Sequence, residues 1–195
     1  IGVSYFIWNA STNDKLCKEI KRLNPNCKII YGGLGTPKHG RCEEFLNDRP
    51  FIDAIVHNEG ELVFQNLLKN NDWSLVNGIS THDFVNPLES RIKNFAELPS
   101  PYLDGLFDEL IEKSKTNHNW ECLVEPVRGC PYTCTFCEIG DRFYTKIAKQ
   151  DKNKLFKEID WVSEHKVEYL QLIDNNFGMI KEHKEISDYL IDKFQ

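Results

Sequence analysis

The sequence predicts an α/β protein of strand–helix units on parallel strands, in two parts joined by a connector. Three observations lead there. Apolar runs rich in aromatic and β-branched residues alternate with helically spaced ones from residue 1 to about 70. From about 71 to 118 that alternation lapses and turn-forming residues collect: Asn70-Asn71-Asp72, Asn77-Gly78, Pro87 and Pro99-Ser100-Pro101. At Trp120 the alternation resumes. Repeats at this interval imply right-handed crossovers and a parallel sheet.

Gly2–Trp8 reads as a buried parallel strand. A helix starts at Asn13-Asp14, carries Leu16, Ile20 and Leu23 on one face, and stops at Asn24-Pro25. Lys28–Tyr31 is a second strand running into Gly32-Gly33-Leu34-Gly35, followed by a short helix over Arg41–Asn47 that Pro50 closes. Asp53–His57 is a third strand, and Glu61–Lys69 a helix with Val63, Phe64, Leu67 and Leu68 on one face. Val76–His82 suggests a small hairpin or extended connector, so 71–118 is expected to link a first domain, 1–70, to a second, 119–195. There, Cys122–Val127 is a strand leading into Arg128-Gly129-Cys130, and Asp151–His165 an amphipathic helix facing inward through Leu155, Ile159 and Val162. Val167–Ile173 is the next strand; Ile186, Tyr189, Leu190 and Phe194 mark the last helix.

Composition narrows the class. With 24 Lys and Arg against 30 Asp and Glu, net charge −6, and 41% hydrophobic residues, the chain can bury a core. A pI near 5.6 argues against nucleic-acid and membrane-surface partners. No apolar run approaches the roughly 18 residues of a membrane span, and no signal-peptide pattern is present. A soluble, cytoplasmic protein is the expectation. The chain opens on Ile1 directly into an apolar run and ends at Gln195 within a helical pattern, which suggests a piece of a longer protein.

Seven cysteines without a signal peptide make a poor disulfide framework. Cys17, Cys27 and Cys42 read as inert thiols. Cys130, Cys134 and Cys137 form a CxxxCxxC pattern after a strand, and such thiolates can converge on one metal centre. Zinc would need a fourth ligand, recruited from Cys122, His118 or His165. A cubane iron–sulfur cluster on three thiolates would leave one iron open to substrate. Cys134 and Cys137 alone could be a redox pair, and plain thiols are the bland alternative.

Arg128-Gly129-Cys130 through Phe136-Cys137 resembles the cluster motif of the radical S-adenosylmethionine (radical SAM) enzymes, including the aromatic before the last cysteine. The resemblance implies the start of a partial (β/α) TIM-type barrel, with a [4Fe-4S] cluster on Cys130, Cys134 and Cys137 after its first strand. The fourth iron would then chelate S-adenosylmethionine, with Phe136 near the adenine. Asp174 and Asn175, ending the next strand, would help hold the methionine amino group, although no GGE-type triplet stands there.

Gly32-Gly33 after a buried strand lets backbone approach a ligand closely, but it is not a dinucleotide fingerprint. With Ser4 on the preceding strand, it resembles the C-terminal portion of a flavodoxin-like, Rossmann-type cobalamin-binding domain, where these residues line the slot for the nucleotide tail. Asn58-Glu59-Gly60-Glu61 resembles the turn that follows, and Leu98–Asp104 the connector into the radical module. The cobalt-ligating DxHxxG loop would precede Ile1; His39 is a weaker substitute, better read as a solvated loop histidine.

Together these imply a cobalamin-dependent radical SAM enzyme that cleaves S-adenosylmethionine reductively to a 5′-deoxyadenosyl radical, with radical methyl transfer as one outcome. An electron donor such as flavodoxin or ferredoxin is the implied partner. No catalytic side chain and no substrate is legible. A non-catalytic corrinoid-binding or regulatory module and a zinc-stabilised domain are the rival classes. With only two barrel strands in view, the 195-residue chain alone is expected to be inactive or very poor.

Overall fold

The computed structural model of the chain describes residues 1–114, 119–140 and 142–194, apart from the side chains of Phe95 and Arg142. The chain divides into two compact units, Ile1–Arg91 and Ile92–Gln195.

The first unit is a four-stranded sheet in the order β1 (Gly2–Ser4), β2 (Ile30–Gly32), β3 (Ala54–Val56), β4 (Ile79–Ser80). β1, β2 and β3 run parallel and β4 runs against β3. The crossovers are α1 (Ala10–Leu23) and α2 (Glu43–Asn47), and α3 (Gly60–Lys69) follows β3. Strand side chains alternate between two cores. Ile29, Tyr31 and Ile55 pack with Cys17 and Leu46 on one face, whereas Ile30, Ala54 and Val56 pack with Val63 and Leu67 on the other. Helices therefore cover both faces, as a parallel sheet requires.

The first strand is much shorter than the Gly2–Trp8 run suggests, and it lies at the sheet edge with Gly2 and Ser4 exposed. Asn9 turns the chain: its Oδ1 accepts from Phe6 N–H at 2.8 Å and its Nδ2 donates to Ser4 O at 2.9 Å. The helix accordingly starts at Ala10, ahead of the expected Asn13-Asp14, and Asn13 Nδ2 donates to the same Ser4 carbonyl. The expected connector 71–118 is shared between the units. Val76 and Ile79 join the first unit's core, β4 bridges back through Ser80 to Val85, and Ile111 is buried in the second unit.

The second unit contains α4 (Asp108–Ser114), β5 (Glu121–Val124), β6 (Val127–Arg128), β7 (Ala148–Lys149), α5 (Lys152–Glu164), β8 (Tyr169–Leu172) and α6 (Glu182–Lys193). β5 and β8 pair in parallel from Glu121↔Tyr169 to Val124↔Leu172, with α5 in the crossover. Cys122 and Val124 point into the core built by Leu155, Ile159, Trp161 and Val162, whereas Leu123 and Tyr169 lie exposed. The expected strand Cys122–Val127 is broken: Pro126 separates β5 from β6, which instead forms a small antiparallel ladder with β7.

Asp151 caps α5, its Oδ1 accepting from Lys154 N–H at 2.9 Å. Asp151→Ala is expected to destabilise the second unit by about 1 kcal/mol, read as a lower urea midpoint at unchanged m.

Candidate functional site

The cysteine segment leaves the carboxyl end of β5 and is closed at its base by the β6–β7 ladder. Gly129, at φ +108°, turns the chain immediately before Cys130, a conformation that side chains disfavour. Cys130 N–H donates to Tyr144 O at 2.9 Å, fixing the start of the loop against its return. Further along, Cys137 N–H donates to Cys134 O at 3.1 Å and Gly140 N–H to Cys137 O at 3.0 Å. A Cβ on Gly140 would stand 2.7 Å from Cys134 O, so only glycine allows this winding.

All three cysteines carry free thiols; Cys130 is half-buried, and Cys134 and Cys137 are exposed. Phe136, between the last two, is 91% exposed. Two of the donors proposed to complete a zinc site are engaged elsewhere. Cys122 is buried in the core, where burial pushes its thiol pKa up against an opposing hydrogen bond from Tyr102. His165 stacks on Trp161 with ring centroids 4.0 Å apart, and its Nδ1 lies 2.8 Å from Trp161 O. His118 lies outside the described residues. Among the described residues, no three His, Cys, Asp or Glu side chains gather around a single ion position. A cubane cluster makes a different demand, because each thiolate binds its own iron and the sulfurs need not meet at one point. Three free, accessible thiols on one short loop fit that donor set.

The turn after β8 faces this loop. Asn176 Nδ2 donates to Cys130 Sγ at 3.0 Å. Asp174 is turned inward: its Oδ1 accepts from Asn176 N–H at 2.7 Å, and its Oδ2 lies 3.0 Å from His183 Nε2. Asn175 is exposed. The sequence singled out Asp174 and Asn175; the side chain that reaches a cysteine is Asn176. His183 was missed because nothing at local spacing marks a histidine nine residues beyond its carboxylate. Its one sequence signal is its place three residues before Ile186, on the inward face of α6.

In the first unit, Ser4 and Gly32 are register partners across β1 and β2. Both line a groove of about 370 Å³ with Gly2, Val56, Gly60 and Phe64. A Cβ on Gly32 would meet nothing nearer than Val56, 3.9 Å away, so its missing side chain leaves open space. Gly33 departs from the groove. At φ +102° it turns the chain so that a Cβ there would press to 3.0 Å from Tyr5 O. His39 is not a solvated loop side chain: its Nε2 lies 2.8 Å from Asn86 O and its ring meets His57 edge-on.

No family model matches the chain. TokK of Streptomyces tokunonensis, a cobalamin-dependent radical SAM methyltransferase, is 32% identical over 98% of the chain, which spans 29% of that relative. A 2-(S-pantetheinyl)-carbapenam-3-carboxylate methyltransferase of Streptantibioticus cattleyicolor is 31% identical over the same shares of both chains. Among solved structures, the radical S-adenosylmethionine methyltransferase TsrM of Kitasatospora setae superposes with a TM-score of 0.63 at 15% identity, over 98% of this chain and 39% of that one. TsrM has been solved with a tryptophan substrate and an S-adenosylmethionine analogue, and with cobalamin and a [4Fe-4S] cluster. That likeness establishes a shared α/β fold.

Proposed function

The chain is homologous over nearly its whole length to the cobalamin-dependent radical SAM methyltransferases, and from that premise we propose that it carries the cluster loop and part of the corrinoid site of such an enzyme. In this reading the first unit is the C-terminal portion of a flavodoxin-like cobalamin-binding domain, and the second opens a radical SAM partial barrel. The observation that carries the reading is the presentation of three free thiols, Cys130, Cys134 and Cys137, on one loop at the carboxyl end of a parallel strand.

Cys130, Cys134 and Cys137 would hold the [4Fe-4S] cluster, which supplies the electron for reductive cleavage of S-adenosylmethionine, with methyl transfer as the outcome. Phe136, exposed beside the last ligand, offers a flat face to the adenine. Asn175 offers its amide carbonyl to the amino group. In the first unit, Ser4 and Gly32 would line the slot for the cobalamin tail, where the bare Gly32 backbone admits a ring that a side chain would exclude. Gly33 would shape that slot through its turn. An external electron donor of the flavodoxin or ferredoxin class completes the reading.

Anaerobic reconstitution of the chain with iron and sulfide tests it. About four irons and four sulfides per chain are expected, with visible absorption that Cys134→Ala abolishes. Stoichiometric zinc without that absorption would sink the cluster assignment. Cobalamin affinity should fall at least tenfold in Gly32→Val, which fills the groove without straining the backbone. Cobalamin uptake by a chain that takes up no iron would instead favour a corrinoid-binding module.

A further inference from the structure

The turn after β8 contains a buried brace that the proposed cofactor contacts leave without a task. Asp174 and His183 side chains are 1% and 2% exposed, with Oδ2 and Nε2 3.0 Å apart. Neither of these two atoms has a well-aligned hydrogen bond among the described residues, so each depends on the other's proximity. The remaining polar atoms of the pair fix the turn at its two ends. Asp174 Oδ1 accepts from Asn176 N–H at 2.7 Å, and Gly178 N–H donates to His183 Nδ1 at 2.6 Å. An imidazole that accepts at Nδ1 carries its proton, when neutral, on Nε2, the atom facing Asp174. Phe177 closes the arrangement by stacking on His183, centroids 4.4 Å apart. The side chain that this frame holds out is Asn176, whose amide donates to Cys130 Sγ at 3.0 Å.

We propose that Asp174 and His183 are positioning residues that hold the Asn176 amide against Cys130, and that this hydrogen bond makes Cys130 electronically distinct from Cys134 and Cys137 as a cluster ligand. The inference rests on the cluster reading above. A hydrogen bond into a ligating thiolate withdraws electron density from sulfur. It therefore favours the reduced cluster, which carries one more negative charge, over the oxidised one. Asp174 thereby takes a role other than the one its motif implies. Both its oxygens face into the turn, and an ammonium arriving from solvent meets Asn175 instead.

The test compares reconstituted chains by iron content and by electron paramagnetic resonance in a redox titration with dithionite. Asn176→Leu, close in shape and without a donor, should load iron as the parent does. Its oxidised-to-reduced ratio at a fixed solution potential should rise at least threefold, and Asn176→Ala should agree. His183→Ala should shift the ratio in the same direction, and adding Asn176→Leu to it should produce no further change. Asn176 variants that load fully with an unchanged ratio would overturn the proposal while leaving the cluster reading intact. A shift in His183→Ala that Asn176→Leu further enlarges would overturn the positioning role. A parent chain that takes up no iron removes the cluster reading and this proposal together.

Discussion

Tyr31→Ala is expected to cost the first unit about 3–5 kcal/mol, the range for deleting a large buried ring. Tyr31 is fully buried at the centre of the core between the sheet and helices α1 and α2. Its ring lies 5.0 Å from that of Tyr5 and meets Phe51 edge-on at 6.5 Å, so no neighbour can fill the space by a simple rotation. The hydroxyl donates to Asp14 Oδ1 at 3.1 Å, and burial pushes its pKa far up, so the phenol stays protonated. Asp14 is also held by Arg49 Nε at 2.9 Å, so removing the hydroxyl alone does not strand the carboxylate. Tyr31→Phe should therefore cost only about 1 kcal/mol. Urea unfolding of the three chains, read at equal m, separates ring from hydroxyl. An alanine variant no less stable than the phenylalanine one would refute the packing account.

The first unit is also expected to weaken by about 3 kcal/mol as pH falls from 6.5 to 4. Burial, reinforced by the neighbouring His39, lowers the pKa of His57 to about 4. In the fold its Nε2 lies 2.8 Å from Ser80 Oγ and 3.8 Å from Cys42 Sγ. Unfolded, the same imidazole titrates near 6.5. Below 6.5 the unfolded chain binds a proton that the folded chain refuses, so stability is full above that pH and declines until about 4. Hydrogen exchange at the Ile55 amide, in the adjoining strand β3, reports the unit's opening free energy across this window. His57→Gln should flatten the profile between pH 6.5 and 4. An equally steep profile in that variant would assign the loss to other groups.

The elements that were legible in the sequence are those whose periodicity is local. Helix α5 lies within a residue of its expected ends, because Asp151 supplies a cap and Leu155, Ile159 and Val162 an unbroken face. The cysteine loop was legible for the same reason, since the spacing of its cysteines is short and its preceding strand apolar. What escaped depended on partners distant in the chain. Val76–His82 reads as a small hairpin or extended connector, but that its strand Ile79–Ser80 joins the sheet follows only from pairing with Ile55 and Val56. Gly2–Trp8 looks like one strand until the Asn9 amide folds it back on Ser4. That His183 lies beside the Asp174 carboxylate was likewise not legible, because the two stand nine residues apart. Gly32 and Gly33 are indistinguishable as letters; only the strand register places one on the groove and the other against Tyr5.

The ladder between Val127–Arg128 and Ala148–Lys149 sets how much freedom the cysteine loop keeps at its ends. Tying the ends of a segment of about 20 residues costs about 3 kcal/mol of chain entropy. That cost is met by backbone contacts: the β6–β7 pairing and the bond from Cys130 N–H to Tyr144 O. Closure of the loop at its base is therefore a property of its main chain, while two of its three thiols face solvent.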